Sequence, residues 1–476
     1  MLQISKEKSI ANIRKNVHNE YLLSTDHALS TFLLTNLPPF RINQLCGLRK
    51  GILYFIMDDK KLYTKILGIR DPWYITNIEF NEKSERIDVY VDHYNPIVVT
   101  CPVCGNKYAP YDHSPERVFQ HLNTCQFATY VHVRLPRVKC PNHGVKQIIS
   151  EFGEDGGDKT FAFERHLIDL AKECSIQAVS RLTGVSWDRL WNMVDHSVCR
   201  GFSRKEHRIP KHIGVDEKSF AKGHKYETLV YDNDRGTVEY VADYRSQQSL
   251  EEYYRQFTEH EKQSVESITM DMWDPYIAAT KAHIPDAEEK IVFDRFHVMK
   301  ILNEAVDNVR RKEHKELCEQ KNDVLKGTRY LWLWSRENVP QWRIPEFKEL
   351  QKLDLKICRA WAIKENLRHY WDYASGTWAD KYFDKWYQWA SRCRLEPIVK
   401  AAKTIKRHYR NISTYIRHRV TNALGESINS NIEKVKRFAC GFRNRDHYKK
   451  AIYFHCGGLD LYPKPPKKAS LQWRIV

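Results

Sequence analysis

Apolar and polar positions alternate in two runs, "WYITNIEF" and "ERIDVYVDHY", around a polar turn within residues 73–94, which predicts a β-hairpin. A further strand-like run, "ATYVHVRLPRV", follows at 128–138. From 165 to 200 the apolar period becomes that of a helix. Ala178, Val179 and Leu182 line one helix, Gly184 makes a turn, and Ser186 caps a second helix whose Leu190, Met193 and Val194 face inward. Three strands come next, "HIGVDEKSF" (212–220), "KYETLVYDND" (225–234) and "TVEYVADYR" (237–245), then an amphipathic helix over 249–263. A short apolar strand, Val265 to Met270, stops on Asp271; a helix begins with Asp274 as N-cap and Pro275 at N1, and "EKIVFDRFHV" (289–298) is another strand. The order is β-β-β-α-β-α-β. Helical patterning then runs from Met299 to about Arg419, carrying eight tryptophans, and a last helix lies in "TNALGESINSNIEKVKRFACGF".

These changes of period divide the chain. Residues 1–58 show no sustained period and are expected to be a poorly ordered or non-native extension, with translation beginning at Met57. The expected domains are a hairpin and metal-binding unit over 59–150, a helix-turn-helix over 151–205, an α/β core over 206–299 and 416–460 interrupted by a helical insertion (300–415), and a loose Pro/Lys tail over 461–476. Such helical hairpins also occur without DNA, so composition matters. The chain has 77 basic against 60 acidic residues, a net charge of +17, which favours a polyanionic partner, nucleic acid before membrane. No apolar run of about 18 residues predicts a membrane span, and residues 1–30 lack a signal-peptide core. A reducing cytosol is therefore expected, and of twelve cysteines only Cys101, Cys104, Cys125 and Cys140 cluster.

Cys101-x-x-Cys104 and Cys140-x-x-His143 are two knuckles, each followed by glycine (Gly105, Gly144) and separated by strand-like residues. That is the plan of a zinc ribbon with one structural Zn²⁺. Cys125, His113, His121 and His132 lie between the knuckles and read as ordinary loop or strand residues, because none has a paired partner.

A lone strand-end acid such as Asp271 is usually a cap or an ion-pair partner. Three strands and a helix, then strand, helix, strand, is however the order of an RNase H-like fold, in which the first and fourth strands lie side by side and parallel. Asp216 would then meet Asp271, and two adjacent carboxylates repel unless a cation neutralises them. Mg²⁺ prefers such oxygen ligands. A third acid is expected from the last helix, where Leu424, Ile428, Ile432 and Val435 form an apolar stripe and Asn422, Glu426, Asn429 and Glu433 lie on polar faces. From Lys400 to Lys450 there are fourteen Lys and Arg against three acids, so Glu426 sits in a basic field suited to phosphate.

"IGVDEKSFAKGHKY", "SITMDMWDPYIAATKAHIPDA", "IVFDRFHVMKILNEAVDNVRR" and "TNALGESINSNIEKVKRFACGFRN" resemble the DDE transposases of the ISL-three type from bacterial insertion sequences, over about Lys61 to Gly458. The knuckles and the helix-turn-helix fall in the family's order. The resemblance implies an RNase H-like core with Asp216, Asp271 and Glu426 as the catalytic triad holding two Mg²⁺ (or Mn²⁺) ions, with Asp274 and Asp294 secondary. It implies an enzyme that binds terminal inverted repeats, cleaves 3′ ends and joins them to target DNA, as a dimer or larger assembly in the bacterial cytoplasm, associated with the nucleoid. Ser186, Trp187 and Arg189 at the start of the recognition helix, and Lys434, Lys436, Arg437, Arg443 and Arg445 after Glu426, are the candidate contacts to double-stranded DNA. Insertion tryptophans are expected in the core, with stacking on an extruded base as the sharper alternative. Rival readings are a DNA-binding regulator without catalysis and a host nuclease without strand transfer. Because residues 1–56 carry no recognisable module, a chain starting at Met57 should transpose as well as the full chain in an excision assay; a large loss would reveal a working domain there.

Overall fold

The computed structural model describes residues 59–221, 225–420, 423–466 and 471–473. The predicted N-terminal extension, the Met57 start and Asn422 lie outside them.

The predicted hairpin forms: β1 (Trp73–Asn81) and β2 (Arg86–His93) pair antiparallel. They join β7 (Ala128–Val133) and β6 (Arg117–Gln120) in a four-stranded sheet ordered β1-β2-β7-β6. Two small sheets carry the knuckles. β3 (Ile97–Thr100) pairs with β4 (Lys107–Tyr108), while β5 (Pro110–His113), β8 (Pro136–Cys140) and β9 (Gly144–Gln147) form the other. The tail differs from expectation. Leu471–Trp473 forms β15, antiparallel to β3, and Leu461 is buried against the helical hairpin. The open ladder edge of β3 gives this Pro/Lys segment backbone partners that its composition does not announce.

The helix-turn-helix unit has three helices: α1 (Phe161–Glu173), α2 (Ile176–Thr183) and α3 (Trp187–Arg204). Thr160 and Ser175 cap α1 and α2 with side-chain oxygens on the amides of Phe163 and Ala178. Gly184 takes the left-handed conformation (φ 70°) that turns α2 into α3. Ser186 holds the N-cap of α3 without a side-chain cap bond. Val179, Leu190, Met193 and Val194 are buried as the periodicity requires, whereas Leu182 is exposed.

The α/β core is a five-stranded sheet ordered β12-β11-β10-β13-β14. β10 (His212–Ala221), β11 (Lys225–Asp232) and β12 (Thr237–Asp243) are a meander in which each strand pairs antiparallel with the next. β13 (Ser267–Met270) runs parallel to β10, and β14 (Ile291–Phe293) parallel to β13. Helix α4 (Gln247–Tyr254) leads from the meander towards β13, and α5 (Asp274–His283) links β13 towards β14. Gly214 lies at the centre, where an added Cβ would meet the Asn233 side chain at 2.7 Å. Two expectations shift here. Asp274 is the first helical residue of α5, with Trp273 at the N-cap, and Asp294 ends the strand early by capping α6 (Arg295–Glu319) through the amide of Phe296.

From α6 onward the insertion is helical, ending with Tyr409–His418, and shares one hydrophobic core with β10, β13 and β14. Trp332, Trp371 and Trp386 are in that core, while Trp342, Trp378 and Trp389 are exposed, so the expected core role holds for only part of the set. Last come α7 (Ala423–Phe438) and α8 (Arg445–Cys456). Ile428 and Ile432 bury against β11 and β12, and Val435 against the helix-turn-helix; Leu424 is exposed.

Candidate active site and zinc site

The parallel register pairs His212 with Ser267, Ile213 with Ile268 and Gly214 with Thr269. Two residues further along each strand stand Asp216 and Asp271, so the ladder itself delivers both carboxylates to one edge. They gather with Glu217 into a group whose ligand oxygens all lie within 4.8 Å. Neighbouring strand residues project to opposite faces. Asp271 lies beyond the last paired residues, at the sheet's edge, where a carboxylate from either face of β10 can reach it.

So much negative charge leaves a mark on the acids. Burial and then the charge of Asp271 raise the pKa of Asp216, and the same two effects push Glu217 up to about 7. Burial also raises Asp294. Positive and polar partners offset the repulsion. His297 Nε2 is 2.6 Å from Asp271 Oδ1. Burial alone would lower the His297 pKa, but the hydrogen bond to Asp271 and the surrounding carboxylates raise it above its ordinary value. Arg245 lies 3.2 Å from Glu217 Oε1 and stacks its guanidinium 4.1 Å over the Trp273 ring. Asn429 Nδ2 donates to Asp216 Oδ2 at 2.6 Å, and its Oδ1 accepts from the buried Tyr231 hydroxyl at 3.0 Å.

Glu426 is not a member of this close group. It is exposed in the first turn of α7, three residues before Asn429, so the two share a helix face. Asp274 is likewise outside the group. Glu217, His297, Arg245 and Asn429 were not predicted as site residues. Glu217 follows Asp216 directly and His297 follows Asp294 by three, but neither spacing signals a contact with Asp271.

The acids fit a divalent cation. They are hard oxygen donors, and Glu217 Oε2 is buried without a hydrogen-bond partner among the described residues. Their 4.8 Å limit is close to the roughly 4.2 Å across an octahedral Mg²⁺ shell.

At the ribbon, Cys101, Cys104, Cys140 and His143 converge. Cys104 and Cys140 Sγ are 3.7 Å apart, and His143 Nδ1 lies 3.4 Å from Cys140 Sγ and 3.9 Å from Cys101 Sγ. Thiolates around one tetrahedral Zn²⁺ lie about 3.8 Å apart, so the set fits zinc without rearrangement. Gly105 (φ 73°) and Gly144 (φ 70°) take the left-handed turns the knuckles need. Burial works against the Cys140 thiolate, but hydrogen bonds from the Asn142 amide, His143 and Tyr108 lower its pKa to about 6. His132 bonds Asp88, His121 bonds Thr160 and His113 bonds His93, all away from the knuckles.

The candidate DNA residues divide into two groups. Lys434, Arg437 and Arg443 are exposed. Lys436 instead donates to the Ser219 carbonyl at 2.8 Å, and Arg445 pairs with the fully buried Glu227 at 2.7 Å, so both have a partner within the protein. At the start of α3 Trp187 is exposed, and Arg189 is ion-paired with Asp158.

Comparison with known proteins agrees with this layout. A family model described as a transposase matches residues 213–452, just over half of the chain. A model for the zinc-finger of transposase IS204/IS1001/IS1096/IS1165 matches 97–143, and one for the helix-turn-helix domain of transposase family ISL3 matches 159–198. The chain thus carries a zinc ribbon, a helix-turn-helix and a DDE transposase domain in that order. It belongs to the ISL3 family of transposases. Among its relatives is the transposase for insertion sequence element IS1557 of Mycobacterium tuberculosis, 27% identical over 421 residues, covering 82% of this chain and 93% of that one. The transposase for IS1001 of Bordetella parapertussis is 24% identical over 405 residues, covering 82% and 97%.

Two outcomes follow from this geometry. The purified protein should hold about one zinc per chain, and Cys101→Ser should lose it while divalent-ion binding at the carboxylates persists; retention of zinc by that variant in metal analysis would remove Cys101 from the ligand set. The second concerns pH. Folding raises Glu217 from 4.5 to about 7, so the stability tied to its proton is full below pH 4.5 and is lost as pH rises through 7. Without divalent ions the wild type should therefore lose stability relative to Glu217→Gln across that window. Added Mg²⁺ should raise its melting temperature more at about pH 8 than at about pH 5.5. Parallel melting curves for the two proteins would contradict this.

Proposed function

We propose that this transposase binds the terminal inverted repeats of its insertion sequence, cleaves the 3′ ends and joins them to target DNA, using Asp216, Asp271 and Glu426 on an RNase H-like core. The observation that carries the reading is the parallel pairing of β10 with β13, which brings Asp216 and Asp271 together from positions 55 apart in sequence. An antiparallel three-strand meander extended by two parallel strands, in the order β12-β11-β10-β13-β14, supports the RNase H-like assignment.

Two Mg²⁺ or Mn²⁺ ions held by the triad would supply charge to the attacking water or 3′ hydroxyl and to the leaving oxygen. The protein's own groups prepare for that. Asn429 fixes the Asp216 carboxylate and couples it to α7, the helix bearing Glu426. His297 neutralises Asp271, and Arg245 holds Glu217 at the edge of the group. Lys434, Arg437 and Arg443 hold backbone phosphates, while α3, with Ser186, Trp187 and Arg189 at its start, reads the end sequence. One zinc keeps the ribbon folded. Bringing two ends together requires at least two protomers, and the work belongs in the cytoplasm, at the nucleoid. Among the described residues no helix is long and apolar enough to cross a membrane.

Asp216→Asn, Asp271→Asn and Glu426→Gln should each abolish cleavage of an end-sequence duplex and leave its binding nearly intact. If Glu426→Gln cuts normally and Glu217→Gln does not, the third acid is Glu217. Cutting followed by joining to a second duplex separates the transposase reading from a plain nuclease; binding without cutting leaves only a regulator. In titrations across salt concentration, Lys434→Ala or Arg437→Ala should flatten the salt slope by about one unit on any sequence. Arg189→Ala should instead reduce the preference for end over random DNA by about 1–3 kcal/mol. The opposite pattern would reverse these roles.

A further inference from the structure

Between the helix-turn-helix and the end of α7 lies an open groove of about 710 Å³. Its size is that of a small-molecule site, roughly 300–1,000 Å³. The walls come from α2, α3 and the end of α1 on one side and from α7, α8 and their connection on the other. Trp187 (42% exposed) and Phe438 (53% exposed) present aromatic surface there. Behind Trp187, the Trp191 indole stacks on the His447 ring at 4.3 Å, and its buried N–H has no hydrogen-bond partner among the described residues. Arg181 and Arg443 are exposed and also line the groove. Among the described residues no carboxylate lines it, in a chain with 60 acidic residues.

Flat aromatic faces beside guanidinium groups, with no acid, match a ligand having planar apolar faces, polar edges and an anionic backbone. We propose that this groove takes unpaired nucleotides of the DNA, their bases stacking on Trp187 and Phe438 and their phosphates meeting Arg181 and Arg443. Position supports that occupant. Trp187 begins the recognition helix, and Phe438 ends the helix that carries Glu426. Phe438 lies twelve helical steps beyond Glu426, about 18 Å along the axis. A strand melted beside the site of cleavage is therefore within reach of the groove. A second protein segment would need acidic side chains for the two arginines and would gain nothing from nucleic-acid geometry. The inference rests on the DNA-processing reading above and adds a ligand state, single-stranded rather than duplex.

Three fluorescein-labelled probes test it on the full chain: a blunt duplex, the same duplex with a five-thymidine tail, and one whose tail is five abasic sugar-phosphates. The thymidine tail should bind about tenfold tighter than the abasic tail, because stacking is sequence-tolerant and the phosphates are matched. Phe438→Ala should remove most of that gain and leave blunt-duplex binding unchanged, and Phe438→Tyr should keep it. The exposed position of Phe438 makes loss of folding an unsuitable explanation, and circular dichroism verifies that. A 5-iodouracil tail should photocross-link to the peptide containing Trp187 or Phe438. Equal affinity for thymidine and abasic tails, or a full gain in Phe438→Ala, would overturn the proposal while duplex binding left the functional reading intact. Failure to bind any of the three probes would overturn both.

Discussion

The parallel pairing of β10 with β13 forces carboxylates together, and the architecture around that edge answers their repulsion. Asp216 and Asp271 arrive by register, and Glu217 adds a third charge from the residue beside Asp216. A sheet edge carrying such a group is held by its interior: Ile213, Val215, Ile268 and Met270 are almost fully buried in the largest core. Apolar burial stabilises by roughly 25 cal/mol per Å² and does not depend on charge, so the strands keep their register even while the acids repel. The compensation is local and comes from three different elements. His297 belongs to α6, Arg245 to the segment after β12, and Asn429 to α7. Each is polar or cationic, and each bonds a different carboxylate.

That arrangement ties the insertion and the C-terminal helices to the proposed chemistry. Helix α6, which supplies His297, is also the first helix of the insertion and is capped by Asp294, so the insertion's position and the charge on Asp271 are linked through one helix start. Helix α7 works on two fronts. Ile428 and Ile432 pack on the α/β sheet, while Val435 joins the core of the helix-turn-helix together with Phe454 of α8. Sequence reading and cleavage would thus be carried out by parts that share side-chain packing, without a flexible tether between them. Among the described residues, 63–476 form one compact unit, in keeping with that shared packing.

How much was legible in the sequence depended on whether the signal was local. The knuckles were, because Cys101, Cys104, Cys140 and His143 carry their spacing and their glycines with them. The strands and the turn at Gly184 were legible from periodicity and punctuation. Glu217 was not, since a strand's alternation points it away from Asp216 and only the position of Asp271 at the sheet edge reunites them. His297 and Asn429 are ordinary residues on helices until tertiary packing aims them. Lys436 and Arg445 looked like phosphate contacts by charge alone; their internal acceptors, the partly buried Ser219 carbonyl and the buried Glu227, lie on strands far off in sequence and leave no trace in the local pattern. The tail failed for a similar reason, since its backbone partner is β3, more than 370 residues earlier.

Arg189 shows how the same physics bears on recognition. Its guanidinium is paired with Asp158, which also accepts from Lys159 and lies in the acidic, glycine-containing segment before α1. The pair is half exposed on both sides, so it contributes little to stability. On the proposed reading it would occupy the arginine with a carboxylate until an acceptor of better geometry arrives. Random DNA offers phosphates that are diffuse and interchangeable with the Asp158 carboxylate, and the exchange gains little. A guanine edge offers two acceptors in a plane that match the guanidinium fork, and a single carboxylate oxygen does not reproduce that geometry within the same site. On the proposed reading, the internal acid beside Arg189 would penalise non-specific contacts more than specific ones, and a chain of net charge +17 drawn to DNA in general would still discriminate among sequences.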